Sequence, residues 1–288
     1  VTVRRAILDT LTVNPTVVTG GTSSAGTVTM NGIAPGAGAN VLLSSSNTAA
    51  ATVPSTVSIP AGESSVGFTV TTVPISAPTT LTLTATRAGI SKTTNLTVRA
   101  PILTSLTLNP QITAGSLPST GRVNLSGPAP AGFDVTLTKD TSIIAIPDMV
   151  TVPAGANFVT FPITTQAVNG PVNAQIVARR GSVARAAILF LYPSTLDSIT
   201  ISPMSVKGGT PSTGSANLTL PAPAGGFNIQ LISMNTAVAT VPPLVTVPAG
   251  QTSRNFTITT VPVASTTNVS IQGNRNGVFR ARLLTVTP

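Results

Sequence analysis

One short motif recurs three times and constrains the fold more than any other feature. Ile59-Pro60-Ala61-Gly62 returns as Val152-Pro153-Ala154-Gly155 and as Val247-Pro248-Ala249-Gly250, at spacings of 93 and 95 residues. Six residues beyond each final Gly stands a Phe (Phe68, Phe161, Phe256), and three further on a Thr-Thr pair (Thr71-Thr72, Thr164-Thr165, Thr259-Thr260). Upstream, Pro15, Pro110 and Pro203 are each followed five residues later by Gly20, Gly115 and Gly208, and six after that by Gly26, Gly121 and Gly214. A fixed long period of this kind marks a tandem array. The 288-residue chain is three copies of one module.

Each copy reads as strands alone. Leu11-Thr12-Val13, Leu106-Thr107-Leu108 and Ile199-Thr200-Ile201 alternate apolar and polar with period two, the pattern of a half-buried strand. Val66, Phe68 and Val70 share one face of a later strand, and Leu81, Leu83 and Ala85 one face of the next. Apolar residues at helical spacing are missing, and the abundance of Thr, Val, Gly and Pro opposes helix. About seven short strands per copy, with turn signals every 8–12 residues, predict a β-sandwich. The Pro-Ala-Gly step is expected to turn the chain between two strands, since Pro presets φ and Gly admits positive φ. The Phe that follows is expected to anchor the core, in the place that a Trp and a disulfide fill in antibody domains.

The combination of (Val/Ile)-Pro-Ala-Gly, a Phe six on, Thr-Thr, an alternating strand and a Gly hairpin resembles the tandem Ig-like repeats of secreted bacterial surface proteins. The resemblance spans all three copies. It implies an all-β chain of three tandem Ig-like β-sandwich domains forming an elongated rod, located outside the cell or on its surface. The Pro-Ala-Gly strand is also similar to Calx-β modules, but the matching loops lack the acidic clusters that bind calcium there, so calcium is not expected.

The copies are read as residues 6–100, 101–193 and 194–288. The junctions Arg99-Ala100-Pro101 and Leu191-Tyr192-Pro193 are short and carry Pro, which favours a semi-rigid rod over flexibly linked beads. Val1, Thr2, Val3, Arg4 and Arg5 repeat the sequence that precedes the second copy. They are read as the trailing strand of a preceding repeat, or as a strand donated to another subunit by β-augmentation.

Charge is sparse and localised. Charged residues are 7% of the chain, against about 25% in typical soluble proteins. Lys and Arg number 15 and Asp and Glu 6, for a net charge of +9. Arg87, Arg179 and Arg275 each stand two before the Gly of the last hairpin, and Arg180 beside it. Lys92, Arg99, Arg185, Arg280 and Arg282 lie on the final strands, so that with Arg4 and Arg5 this edge collects 11 of the 15 basic residues. Arg87, Lys92, Arg179, Arg180, Arg185, Arg275, Arg280 and Arg282 form a candidate basic interaction edge. Three readings compete: charges that discourage unwanted strand pairing, a stripe that attracts an anionic cell-surface polymer or a neighbouring subunit, and nucleic-acid binding. The last is disfavoured by the lack of stacking aromatics, which are 3% of residues.

The chain holds no His, Cys or Trp and one Glu. A Ser-His-Asp triad, a thiolate nucleophile, an imidazole or thiolate metal site and a disulfide are all excluded. Asp134 and Asp140 lie six apart with Asp148 nearby, too few oxygens for a cation site, so neither metal nor cofactor is expected. No apolar run approaches a membrane span. Asn95, Asn124, Asn217, Asn255 and Asn268 head Asn-x-Ser/Thr sequons. The expectation is a non-catalytic extracellular protein: a tandem Ig-like stalk, adhesin shaft or filament subunit, associating with itself or with neighbouring copies of the array. The alternative is an array of modules binding a glycan or an anionic polymer, attached to a surface layer or a secreted enzyme.

Overall fold

A computed structural model describes residues 5–288. The described chain contains strands and no helix, in three units with the same two-sheet topology. In the first unit the strands are β1 (Leu8–Asn14), β2 (Val17–Thr19), β3 (Ser24–Met30), β4 (Ala39–Ser45), β5 (Ala51–Thr52), β6 (Thr56–Ile59), β7 (Ser65–Thr72), β8 (Thr79–Arg87) and β9 (Ile90–Arg99). One sheet has the order β1-β3-β7-β5, the other β2-β9-β8-β4-β6. All pairs are antiparallel except β2 with β9. The second and third units repeat both orders. The chain is therefore three tandem Ig-like β-sandwiches. Nine strands replace the expected seven because the first strand changes sheets at Pro15, becoming β1 and β2, and because the two-residue β5 crosses briefly to the first sheet.

Period-two patterning builds each core. Along β3 the residues Ser24, Gly26, Val28 and Met30 are buried, and along β8 so are Leu81, Leu83 and Ala85. Each sandwich closes its own apolar core, from Leu8 to Val98, Leu103 to Leu191 and Leu196 to Val286. The recurrent Phe lies within it. Phe161 and Phe256 are buried, Phe68 is partly buried against the first core, and each pairs across the sheet with a recurrent Gly: Gly26, Gly121 or Gly214. The ring lies over that Gly. A Cβ on Gly121 would stand 2.1 Å from Phe161 Cζ, and one on Gly26 2.2 Å from Phe68 Cζ. Gly and Phe are thus one packing unit, separated by 40 or more residues of sequence.

A second recurrent tie holds the strand switch. Ser24, Ser119 and Ser212 are buried, and each hydroxyl donates to the carbonyl of Pro15, Pro110 or Pro203 at 2.7 Å. Ser119→Ala leaves that carbonyl without its partner, and we expect the middle sandwich to lose about 1–3 kcal/mol, measured as a shift in its denaturant midpoint.

Candidate functional site

The basic residues gather where the last two strands of each sandwich meet. In the first sandwich Arg87 pairs with Ile90 around Ala88 and Gly89, both at positive φ (48° and 81°). In the third, Arg275 pairs with Val278 around Asn276 and Gly277 (52° and 83°). Two positive-φ residues make the hairpin turn that matches strand twist. In the second sandwich Arg180 pairs with Val183 around Gly181 and Ser182, with Gly181 at φ 56°. The residue equivalent to Arg87 and Arg275 is therefore Arg180. Arg179 stands two before the Gly as Arg87 and Arg275 do, but the turn here begins with Gly, so Arg179 falls on the neighbouring position, where it is exposed.

These three arginines fold back onto their own sandwich. Arg180 lies 3.8 Å from the Phe133 ring centroid and Arg275 4.8 Å from that of Phe227. Arg180 Nη1 donates to the Asp134 carbonyl (2.6 Å) and Arg275 Nη1 to that of Asn228 (2.9 Å). The first sandwich has Ala39 in place of these Phe residues, and Arg87 Nη1 instead donates to the Ala6 carbonyl at 3.2 Å.

The second set, Lys92, Arg185 and Arg280, occupies the third position of each final strand. There the five-stranded sheet has an open edge, because β2 covers only Thr97–Arg99 of β9 and the equivalent residues of the other copies. Arg185 Nε donates across the edge to the Thr104 carbonyl (2.7 Å), and Arg280 Nε to that of Asp197 (2.5 Å). Thr104 and Asp197 are the bulged residues of the opposite sheet's first strand, where the register slips by one. The bulge turns a carbonyl outward, and the guanidinium joins the two sheets over the gap. Arg185→Ala is expected to lower the stability of the middle sandwich by about 1 kcal/mol and to increase its aggregation on heating, read by light scattering, because it removes a hydrogen bond and bares a strand edge.

Five of the eight candidate residues thus donate to carbonyls of their own sandwich. Arg179 and Arg282 are exposed, Arg282 Nη2 lying 2.9 Å from Met204 Sδ. Val1, Thr2, Val3 and Arg4 of the candidate inter-subunit strand lie outside the described residues, and Arg5 is exposed ahead of β1. Asp134 and Asp140 have local partners. Asp134 Oδ1 accepts from Thr151 Oγ1 (2.6 Å), and Asp140 Oδ1 from the Gln175 amide (2.9 Å). Among the described residues no three His, Cys, Asp or Glu side chains converge as a metal ion would require.

The contacts made across the sandwich junctions are visible only in the structure. The turn after β2, Thr19-Gly20-Gly21, meets Gly127 and Pro128 of the next sandwich so closely that a Cβ on Gly21 would lie 2.8 Å from Pro128 Cγ. At the other junction Gly115, Val168 and Asn169 face Pro193–Leu196, Pro223 and Arg275 across a cleft of about 280 Å³. The doublets Gly20-Gly21 and Gly208-Gly209 were the available signal, but a contact between modules has no periodicity to reveal it.

No protein-family model matches the chain, and no curated protein is found to match it. Among solved structures it is similar to the Escherichia coli adhesin FdeC, at 13% identity and a TM-score of 0.34, over 98% of this chain and 99% of that one. It is also similar to domains 4–9 of the surface layer protein SbsC, at 14% identity and a TM-score of 0.31, over 97% of this chain and 47% of that one. A three-domain fragment of titin aligns at 11% identity and a TM-score of 0.42, over 99% and 96%. At these values the alignments add nothing to what the sheet order of the chain itself establishes.

Proposed function

We propose that this chain is the shaft of a non-catalytic extracellular protein, holding a fixed distance between whatever stands at its two ends. The shortness of the junctions carries the reading. Strand β9 ends at Arg99 and the next sandwich begins its first strand at Leu103; the second pair is Tyr192 and Leu196. Three residues, one of them Pro101 or Pro193, leave little freedom between sandwiches. Thr and Ser on the outer faces keep the surface wet without a strong charge field, and the arginines are largely engaged in closing their own sandwiches. Small-angle scattering of the dilute chain is the test. Three sandwiches in line give a maximum dimension on the order of 100 Å, from strands rising ~3.3 Å per residue. A compact particle with the sandwiches folded back on each other would refute a shaft.

Exposed Arg179 and Arg282 favour a second reading, attraction of an anionic surface polymer. It predicts retention on heparin that falls steeply with salt. The double substitution Arg179→Ser, Arg282→Ser is expected to weaken that retention more than Arg185→Ala does, because the Arg185 side chain already donates to Thr104.

A further inference from the structure

We infer that the chain pairs sideways with a second copy of itself, strand β7 of one first sandwich adding antiparallel to β7 of another. The inference goes beyond the shaft reading and does not depend on what stands at either end. It starts from the open edge of the four-stranded sheet. There β5 pairs only with Thr71 and Thr72, and β3 takes the other side of β7. The Met30 amide donates to the Ser64 carbonyl at 2.8 Å, so by the alternation of an antiparallel ladder the backbone of Val66, Phe68 and Val70 faces β3. The amides and carbonyls of Ser65, Gly67 and Thr69 therefore face away from the sheet.

The same edge is closed in the other two sandwiches, in two different ways. In the second, Pro162 stands where Thr69 stands, one residue after the recurrent Phe and opposite Thr120. A Pro there loses no bond within its own sheet but offers no N–H to an incoming strand. In the third, Arg254 stands where Val66 stands, opposite the buried Ala216, and it is exposed. An added strand would have to cover that charge, a common protection of edge strands. The first edge has neither device. Strands β5, β6 and β7, on this side of the sandwich, carry no charged residue.

Two features of this edge find no reason within the first sandwich. A Cβ on Gly67 would meet only the Gly26 carbonyl oxygen, at 3.8 Å, an ordinary contact. Its counterparts are Thr160 and Asn255, so the position accepts a side chain. A glycine inside a strand weakens it and often marks the close approach of another backbone. Phe68 is only partly buried, as is Val66, whereas Phe161 is 2% and Phe256 6% exposed. The first core is thus left partly uncovered along the strand whose outer backbone groups are open.

The occupant that fits is the edge itself. With Gly67 opposite Gly67 across a two-fold axis, Ser65 faces Thr69 and Val66 faces Phe68 of the other copy. The three outward residues of each strand exchange about six main-chain hydrogen bonds, and Val66 and Phe68 meet at the non-hydrogen-bonded positions, where side chains lie closest. The pairing is isologous, so it closes at a dimer. Three open edges on one chain would let copies pair in several registers and grow into sheets; Pro162 and Arg254 leave one.

Sedimentation velocity of the full chain from about 10 μM to 1 mM is the test, since an interface this small binds weakly. The expected result is a mean mass that rises with concentration toward that of a dimer and no further. Thr69→Pro puts the middle sandwich's own residue on the first edge, and Val66→Arg puts the third's there. Each should weaken dimerisation by about tenfold or more, with the strand signal in circular dichroism retained. Thr69→Ser keeps the amide and should dimerise as the parent does. A monomer throughout, growth beyond the dimer, or a folded Thr69→Pro chain that dimerises as the parent does would each overturn the proposal. Should Thr69→Pro fail to fold, Val66→Arg, at a position already partly exposed, decides in the same way.

Discussion

Replacing Phe161 with alanine is expected to destabilise the middle sandwich by about 3–5 kcal/mol, the usual cost of emptying a core aromatic site. The ring is 2% exposed and packs within the cluster of Val123, Leu106, Ile163 and Ile176. It also covers Gly121, which has no side chain of its own to fill the space. Partial collapse around the cavity is therefore harder than at an ordinary core position, and the effect should fall in the upper part of that range. For a domain of under 100 residues, a loss of 3–5 kcal/mol lowers the melting temperature by roughly 15–30 °C. The three cores are separate, so the other two sandwiches should melt unchanged. Hydrogen exchange resolved by peptide would show protection lost in the middle third only. Equal loss across all three sandwiches would mean that their cores are coupled and that the Phe is no local anchor.

Gly121→Ala is expected to cost about 1–3 kcal/mol or more, although it adds a single methyl and suits the strand conformation better than glycine does. The reason is overlap. The new Cβ would stand 2.1 Å from Cζ and 2.5 Å from Cε2 of Phe161, and the ring cannot retreat through a buried core. The two substitutions should be strongly non-additive, since both act on one packing unit. In the double variant Gly121→Ala, Phe161→Leu, the smaller side chain makes room for the methyl. It should therefore be more stable than Gly121→Ala alone, in a double-mutant cycle followed by denaturant midpoints. Additive losses would show that the Gly and Phe act independently.

Several features of the fold were legible because they are local or periodic. Alternation in Leu81, Leu83 and Ala85 predicted one buried face of β8. The Pro-Ala-Gly step predicted a turn, and Gly62, Gly155 and Gly250 sit there at φ 77–82°. The recurrent Phe predicted the core anchor. The edge was read less well. Position relative to a Gly aligned Arg179 with Arg87 and Arg275, but strand pairing makes Arg180 the equivalent residue. A single-residue difference in turn type moves a side chain to the opposite face of the sheet, and composition does not register it.

The sequence alone determined that this is a repeated all-β chain without imidazole or thiolate, since periodicity and composition survive without coordinates. Only the tertiary structure decided what the recurrent positions are for. Gly121 meets Phe161 across a sheet, Ser119 reaches Pro110 over a strand switch, and Arg185 joins a bulged carbonyl of the other sheet. The Gly20-Gly21 turn receives the next sandwich at a distance no side chain would allow. Each of these joins residues from different strands or different modules. A one-dimensional pattern records how often a residue type returns, and the contacts it makes depend on which backbone the fold brings within 3 or 4 Å of it.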